Sequence, residues 1–66
     1  MRQTVQKMKD AVRRLMRGTC TIGECELELN RIISEATMDF ADLDERIYRI
    51  RILKRRSWRM LLDVTK

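Results

Sequence analysis

The sequence predicts a small all-α protein: an antiparallel helical hairpin, with a short first helix and a long second helix, that self-associates into a bundle. Apolar residues recur at three- and four-residue steps through most of the chain, which is the period of an α-helix. The chain has no proline and only two glycines. Its 66 residues form one domain, and a domain of this size buries only about 60% of its unfolded surface. Self-association is therefore the stabilising device that we expect.

The first predicted helix spans about residues 2–17. Its apolar residues lie on one stripe, with basic residues between them: Val5, Met8, Val12 and Leu15. We expect this stripe to pack against the beginning of the second helix. Each fully buried side chain of this kind contributes ~1.5–3 kcal/mol, which is more than an exposed ion pair contributes.

A turn is predicted for residues 18–21. Gly18 accepts the left-handed backbone conformation that commonly ends a helix. Thr21 and Glu24 have the spacing of a capping box, in which each side chain accepts a hydrogen bond from the backbone of the other residue. A second helix therefore begins near Ile22, and so short a turn makes the two helices antiparallel neighbours.

The second predicted helix spans about residues 22–63 and carries an apolar seam of alternating four- and three-residue steps. The alternative is a break near Asp39, since Asp39 and Asp42 resemble N-cap residues, and this would give three helices of about equal length. We favour the continuous helix, because a turn would usually shift the phase of the apolar repeat. The first helix covers only about residues 22–40, so a second copy of the chain is expected to cover the rest. The seam residues are Leu29, Ile33, Ala36, Phe40, Leu43, Ile47 and Ile50.

Charge is distributed in three blocks along the chain. Residues 1–23 carry six basic residues and one acidic residue, residues 24–45 carry one basic and eight acidic, and residues 46–66 carry eight basic and one acidic. The first block can neutralise the second block when the helices pack together. The third block then has no partner within the chain, so we place the function there.

One side of the third block, placed on a helix, combines arginines with apolar and aromatic residues. Arginine suits bidentate contacts to carboxylates and stacks on planar groups, and interfaces are enriched in Arg, Tyr and Trp. We predict a non-enzymatic regulatory or inhibitory module that engages an acidic protein partner through this helix. The predicted partner-binding residues are Arg49, Arg51, Arg55, Arg56, Arg59, Tyr48, Ile52 and Trp58.

Two alternatives explain the same surface, and a weaker third is binding of the basic amphipathic helix to a membrane surface, which its apolar side, committed to the seam, argues against. The first is a solvated face on which long arginine side chains cover scattered apolar residues. The second is a nucleic-acid-binding transcriptional regulator whose arginines contact phosphates, which the net charge of +5 favours. The acidic block, and the lack of a recognised nucleic-acid-binding motif, weigh against the second alternative.

The residue types argue against catalysis. The chain has no histidine, and no phosphate-binding glycine loop or metal-ligand pair is present, so we expect no enzyme, metal, cofactor or small-molecule substrate.

Cys20 and Cys25 are predicted to be reduced thiols of a cytoplasmic protein. A redox switch is the alternative, because Cys25 lies near a helix N-terminus, which favours a thiolate. The charged N-terminus predicts no signal peptide, and no apolar run approaches the ~20 residues of a membrane span.

Overall fold

Three α-helices pack against one another in the computed structural model, which describes residues 2–65. Helix α1 spans Arg2–Met16, α2 spans Ile22–Thr37 and α3 spans Leu43–Thr65. Each helix contacts both of the others, and the described residues include no strand. The predicted all-α class is therefore confirmed. None of the three helices is both long enough and apolar enough to cross a membrane.

Helix α1 ends at Gly18, as the sequence predicts. Gly18 has a φ of 76°, in the left-handed region that glycine adopts without a steric penalty. Its N–H donates to the carbonyl of Leu15 at 3.1 Å, and the N–H of Thr19 donates to the carbonyl of Arg14 at 3.0 Å. This pair of bonds is the Schellman arrangement, which satisfies carbonyls at the end of the helix.

Helix α2 begins with the predicted capping box. The Thr21 hydroxyl accepts the backbone N–H of Glu24 at 3.1 Å, and the Glu24 carboxylate accepts the backbone N–H of Thr21 at 3.0 Å. These bonds, chiefly the one from the Thr21 backbone, lower the pKa of the Glu24 carboxyl. The turn between α1 and α2 is therefore specified by chemistry local to residues 14–24.

The prediction of one continuous helix over residues 22–63 is wrong, because the chain is not helical at residues 38–42. Asp42 is the residue that starts a new helix. Its carboxylate accepts the backbone N–H groups of Asp44 at 2.9 Å and Glu45 at 3.3 Å. The charges of Asp44 and Glu45 also lie in the first turn of α3, where the helix dipole favours them. The alternative break near Asp39 is the one that forms, although α3 is longer than the other two helices.

The break divides the predicted seam. Leu29 and Ile33 are buried in the core and Ile50 packs against it, whereas Leu43 and Ile47 are 67% and 42% exposed. Helix α3 instead buries a side of its own, since Leu53 and Leu61 join the core and Met60 and Val64 pack against it. The buried core residues are Met8, Ala11, Val12, Cys25, Leu29, Ile32, Ile33, Leu53 and Leu61.

Ion pairs contribute little to the packing of α1 on α2. Arg14 and Glu28 are the pair that joins these helices within residues 2–65, at 3.7 Å. The remaining pairs of the described chain lie within a single helix. Exposed pairs of this kind are worth ~0–1 kcal/mol each. The apolar core, rather than charge neutralisation, therefore holds the basic α1 against the acidic α2.

Candidate interaction surface on α3

Helix α3 is buried on one side only. Leu53, Ser57 and Leu61 point into the bundle, and at about 100° per residue the opposite side is a separate surface. We call this surface the outer face of α3. It consists of Tyr48, Arg51, Ile52, Arg55, Trp58, Arg59 and Leu62, all of which are exposed.

Large apolar side chains interrupt the arginines of the outer face. Tyr48 and Trp58 are 62% and 59% exposed, and Ile52 and Leu62 are 38% and 44% exposed. Tyr48 and Ile52 are four residues apart, as are Trp58 and Leu62, so each pair shares one patch of helix surface. The two patches extend from Tyr48 to Leu62, or ~21 Å of helix.

Leu62 is a member of this surface that the predicted partner-binding set omitted. The signal was present in the sequence, because Leu62 lies four residues after Trp58 on a helix. Its exposure shows that it is not used by the core of the single chain.

The arginines of the outer face have no acidic neighbour among residues 2–65. No described carboxylate lies within 4.0 Å of the guanidinium nitrogens of Arg51, Arg55 or Arg59. Their side chains are exposed. The surface therefore presents three guanidinium groups that form no ion pair within the described chain.

Arg49 has surroundings that differ from those of the other predicted partner-binding arginines. Its guanidinium lies 3.5 Å from the Glu45 carboxylate and 5.6 Å from the centre of the Phe40 ring. Its Nε atom is buried and has no hydrogen-bond partner among residues 2–65. Arg49 thus holds the linker of residues 38–42 against α3, since a cation over an aromatic ring is attracted to it.

Arg56 lies away from the outer face as well. It lines a groove between α3 and α1, opposite Lys9 and Val5. The sequence could not indicate this, because the groove forms only when two helices that are distant in sequence pack together. The predicted set therefore separates into the outer face, the linker contact of Arg49 and the groove residue Arg56.

The acidic block is partly neutralised inside the molecule. Arg31 pairs with Glu28 and, at 2.8 Å, with Glu35, and Arg14 adds its contact from α1. The hydrogen bonds from Arg31 lower the pKa of the Glu28 carboxyl, and the two carboxylates raise the pKa of Arg31. These residues line a cleft of about 510 Å³ between α1 and α2. Most of its charges already have partners, so it is a weaker candidate than α3.

The cysteines are free thiols in different surroundings. Cys25 is buried, and its Sγ donates to the carbonyl of Ala11 at 3.6 Å. Burial raises the pKa of the Cys25 thiol, which is the opposite of what a reactive thiolate needs. The alternative of a redox switch at Cys25 therefore loses its physical basis. Cys20 is half-buried.

The outer face combines exposed guanidinium groups with exposed apolar side chains. Trp58 at its border also lines a cleft of about 220 Å³ with Leu29 and Asn30 of α2. That the chain is not an enzyme stays a prediction. Comparison of the chain with protein-family models, with curated proteins and with solved structures gives no significant match.

Proposed function

We propose that the protein is a regulatory or inhibitory binding module that occupies an acidic surface of a partner protein with the outer face of α3. The observation that carries the proposal is the alternation of exposed apolar residues with arginines that lack a carboxylate neighbour within residues 2–65. Apolar and aromatic side chains supply most of the affinity in such interfaces. The charges determine which partner is accepted and how fast it associates.

The spacing of the outer face suits a helical partner. Its two apolar patches lie along one straight helix, so a partner helix with apolar residues at three- and four-residue steps can follow both. Acidic residues beside that apolar stripe would meet Arg51, Arg55 and Arg59. The proposed partner element is therefore an acidic amphipathic helix.

Self-association is a second part of the proposal, and it uses an adjoining surface, because Ile47 lies four residues before Arg51 of the outer face. The chain exposes 5198 Å², whereas a compact monomer of 8.0 kDa exposes about 4450 Å². The difference approaches the roughly 800 Å² that each partner buries in an ordinary interface. Leu43 and Ile47, which are exposed although the sequence places them on the seam, are the residues that we propose a second copy covers.

Binding of the partner is tested by affinity capture from host cells, with identification of the captured proteins by mass spectrometry. The outer-face variant is Arg55→Glu/Arg59→Glu. The control variant, Lys7→Glu/Arg17→Glu, has the same change in net charge on α1 and the turn that follows it. We expect one acidic protein to be captured by the wild type and by the control variant, and at least about tenfold less of it by the outer-face variant, since truncating or reversing charges in an interface costs several kcal/mol. Equal capture by all three proteins would contradict the proposal.

The nucleic-acid alternative gives a different result in a second measurement. Affinity for random duplex DNA is measured across salt concentrations with the same three proteins. Neutralisation of several phosphates by the outer face would give a steep loss of affinity with salt, which the outer-face variant would abolish. We expect no such dependence on Arg55 and Arg59.

A further inference from the structure

A groove between α1 and α3 brings together cations from two helices that are far apart in sequence. Its volume is about 560 Å³. None of its lining residues belongs to the acidic α2. The lining residues are Arg2, Gln3, Val5, Gln6 and Lys9 of α1 and Arg56 of α3.

The three cations of this groove form no ion pair in the described chain, although Asp10 lies beside Gln6 at its edge. Among residues 2–65, no carboxylate lies within 4.0 Å of the charged nitrogens of Arg2, Lys9 or Arg56. The first turn of α1 also contains no acidic residue, so the positive end of its dipole adds to the potential there. The cleft between α1 and α2 is different, because Asp10, Glu28 and Glu35 line it.

The side chains of the groove are donors that suit phosphate. Arginine binds a phosphate through two parallel N–H donors, and lysine binds it as a point charge. The amide of Gln3 can donate to a further phosphate oxygen, whereas the amide nitrogen of Gln6 already donates to the Asp10 carboxylate at 3.2 Å and has one N–H left for a ligand. No aromatic side chain lines the groove, so bases would not stack there and recognition would be confined to phosphates.

We infer that the α1–α3 groove binds adjacent phosphate groups of a polyanion through Arg2, Lys9 and Arg56. The phosphates come either from a nucleic-acid strand or from a free oligophosphate. This site does not depend on the proposed function, because it shares no residue with the outer face of α3.

The experiment measures the binding of two probes to three proteins. The probes are a fluorescein-labelled single-stranded oligonucleotide of twelve thymidines, followed by anisotropy, and inorganic tripolyphosphate, followed by calorimetry. The groove variant is Lys9→Glu/Arg56→Glu. The control variant, Lys7→Glu/Lys54→Glu, changes one cation on each of the same two helices outside the groove and outside the outer face.

We expect the wild type and the control variant to bind at least one probe, and the groove variant to bind it at least about tenfold more weakly. For the oligonucleotide, three neutralised phosphates give a slope of log affinity against log salt of about −2, and loss of two cations reduces it to about −0.7. Binding of the oligonucleotide identifies a nucleic-acid strand as the source, and binding of tripolyphosphate alone identifies a free oligophosphate.

Failure to bind either probe, or an equal loss of binding in the groove and control variants, would overturn the inference. The second result would mean that net charge alone attracts the probes. Capture of the protein partner gives an independent measurement. The groove variant keeps the outer face intact, so it should retain that partner even if the phosphate site does not exist.

Discussion

Arg31 and Glu28 show how a single pair can make stability depend on pH. Hydrogen bonds from Arg31 lower the pKa of Glu28 in the folded protein below the ordinary value of 4.5. A carboxyl with a lowered pKa stabilises the fold fully above its unfolded pKa, and this contribution is lost as the pH falls through its folded pKa. The pair should therefore stabilise the protein at neutral pH and cease to do so in acid.

The variant Arg31→Met tests this expectation. We expect the carboxyl of Glu28, followed by NMR, to titrate at a higher pH in the variant than in the wild type. In urea unfolding, the wild type should be the more stable protein at pH 7, and the difference should shrink as the pH falls below about 4.5. A difference in stability that is the same at pH 7 and pH 3 would show that Arg31 acts through packing rather than through its charge.

The sequence correctly predicts the helix boundaries that nearby residues specify. The end of α1 at Gly18 and the start of α2 at Thr21 follow from residues within one turn of each boundary. The break after Thr37 is the less favoured of the two sequence predictions, and the continuous helix is the favoured one. Phe40 and Leu43 continue the four- and three-residue steps across the linker, although the chain there is not helical. Apolar spacing alone therefore predicts a continuous helix, whereas in the structure the capping bonds of Asp42 begin a new helix.

Mutation of Asp42 should change stability in opposite directions in the two folds, the one with a break at residues 38–42 and the one with a continuous helix. With a break, Asp42→Ala removes the N-cap of α3 and should lower the free energy of unfolding by about 1 kcal/mol. In a continuous helix, the same change would raise stability, because alanine is the best helix former. Urea unfolding followed by circular dichroism measures the difference. Asp39→Ala is the matched control, since the Asp39 side chain accepts no backbone hydrogen bond among residues 2–65.

The residues of the candidate site also differ in whether nearby sequence predicts their surroundings. Helical periodicity alone predicts that Tyr48, Ile52 and Trp58 share a surface with arginines, and all three are exposed. The surroundings of Arg49 and Arg56 were not predictable in this way. Their neighbours, Phe40 and the α1 groove, come from other parts of the chain, and one sequence does not show which elements meet.

In the molecule as a whole, the three helices bury a common core and also carry charges of opposite sign on different helices. Helices α1 and α3 are rich in cations and meet at the groove, while α2 carries four carboxylates, of which Glu28 and Glu35 pair with Arg14 and Arg31. The cationic groove and the acidic α2 therefore occupy different parts of a bundle whose extents are 38 × 20 × 18 Å. Such a molecule orients itself as it approaches a charged partner.

The same small bundle exposes Leu43 and Ile47, and the proposed self-association predicts that a second copy covers them. Sedimentation should then show a dimer for the wild type and a monomer for Leu43→Asp/Ile47→Asp, because a buried unpaired carboxylate is costly. The control Ile52→Asp/Leu62→Asp places the same charges on the outer face of α3 and should remain a dimer. If all three proteins sediment as monomers, no second copy covers the exposed residues. If only the control variant dissociates, the outer face is itself the interface between copies, and the proposed binding of an acidic partner would have to compete with self-association.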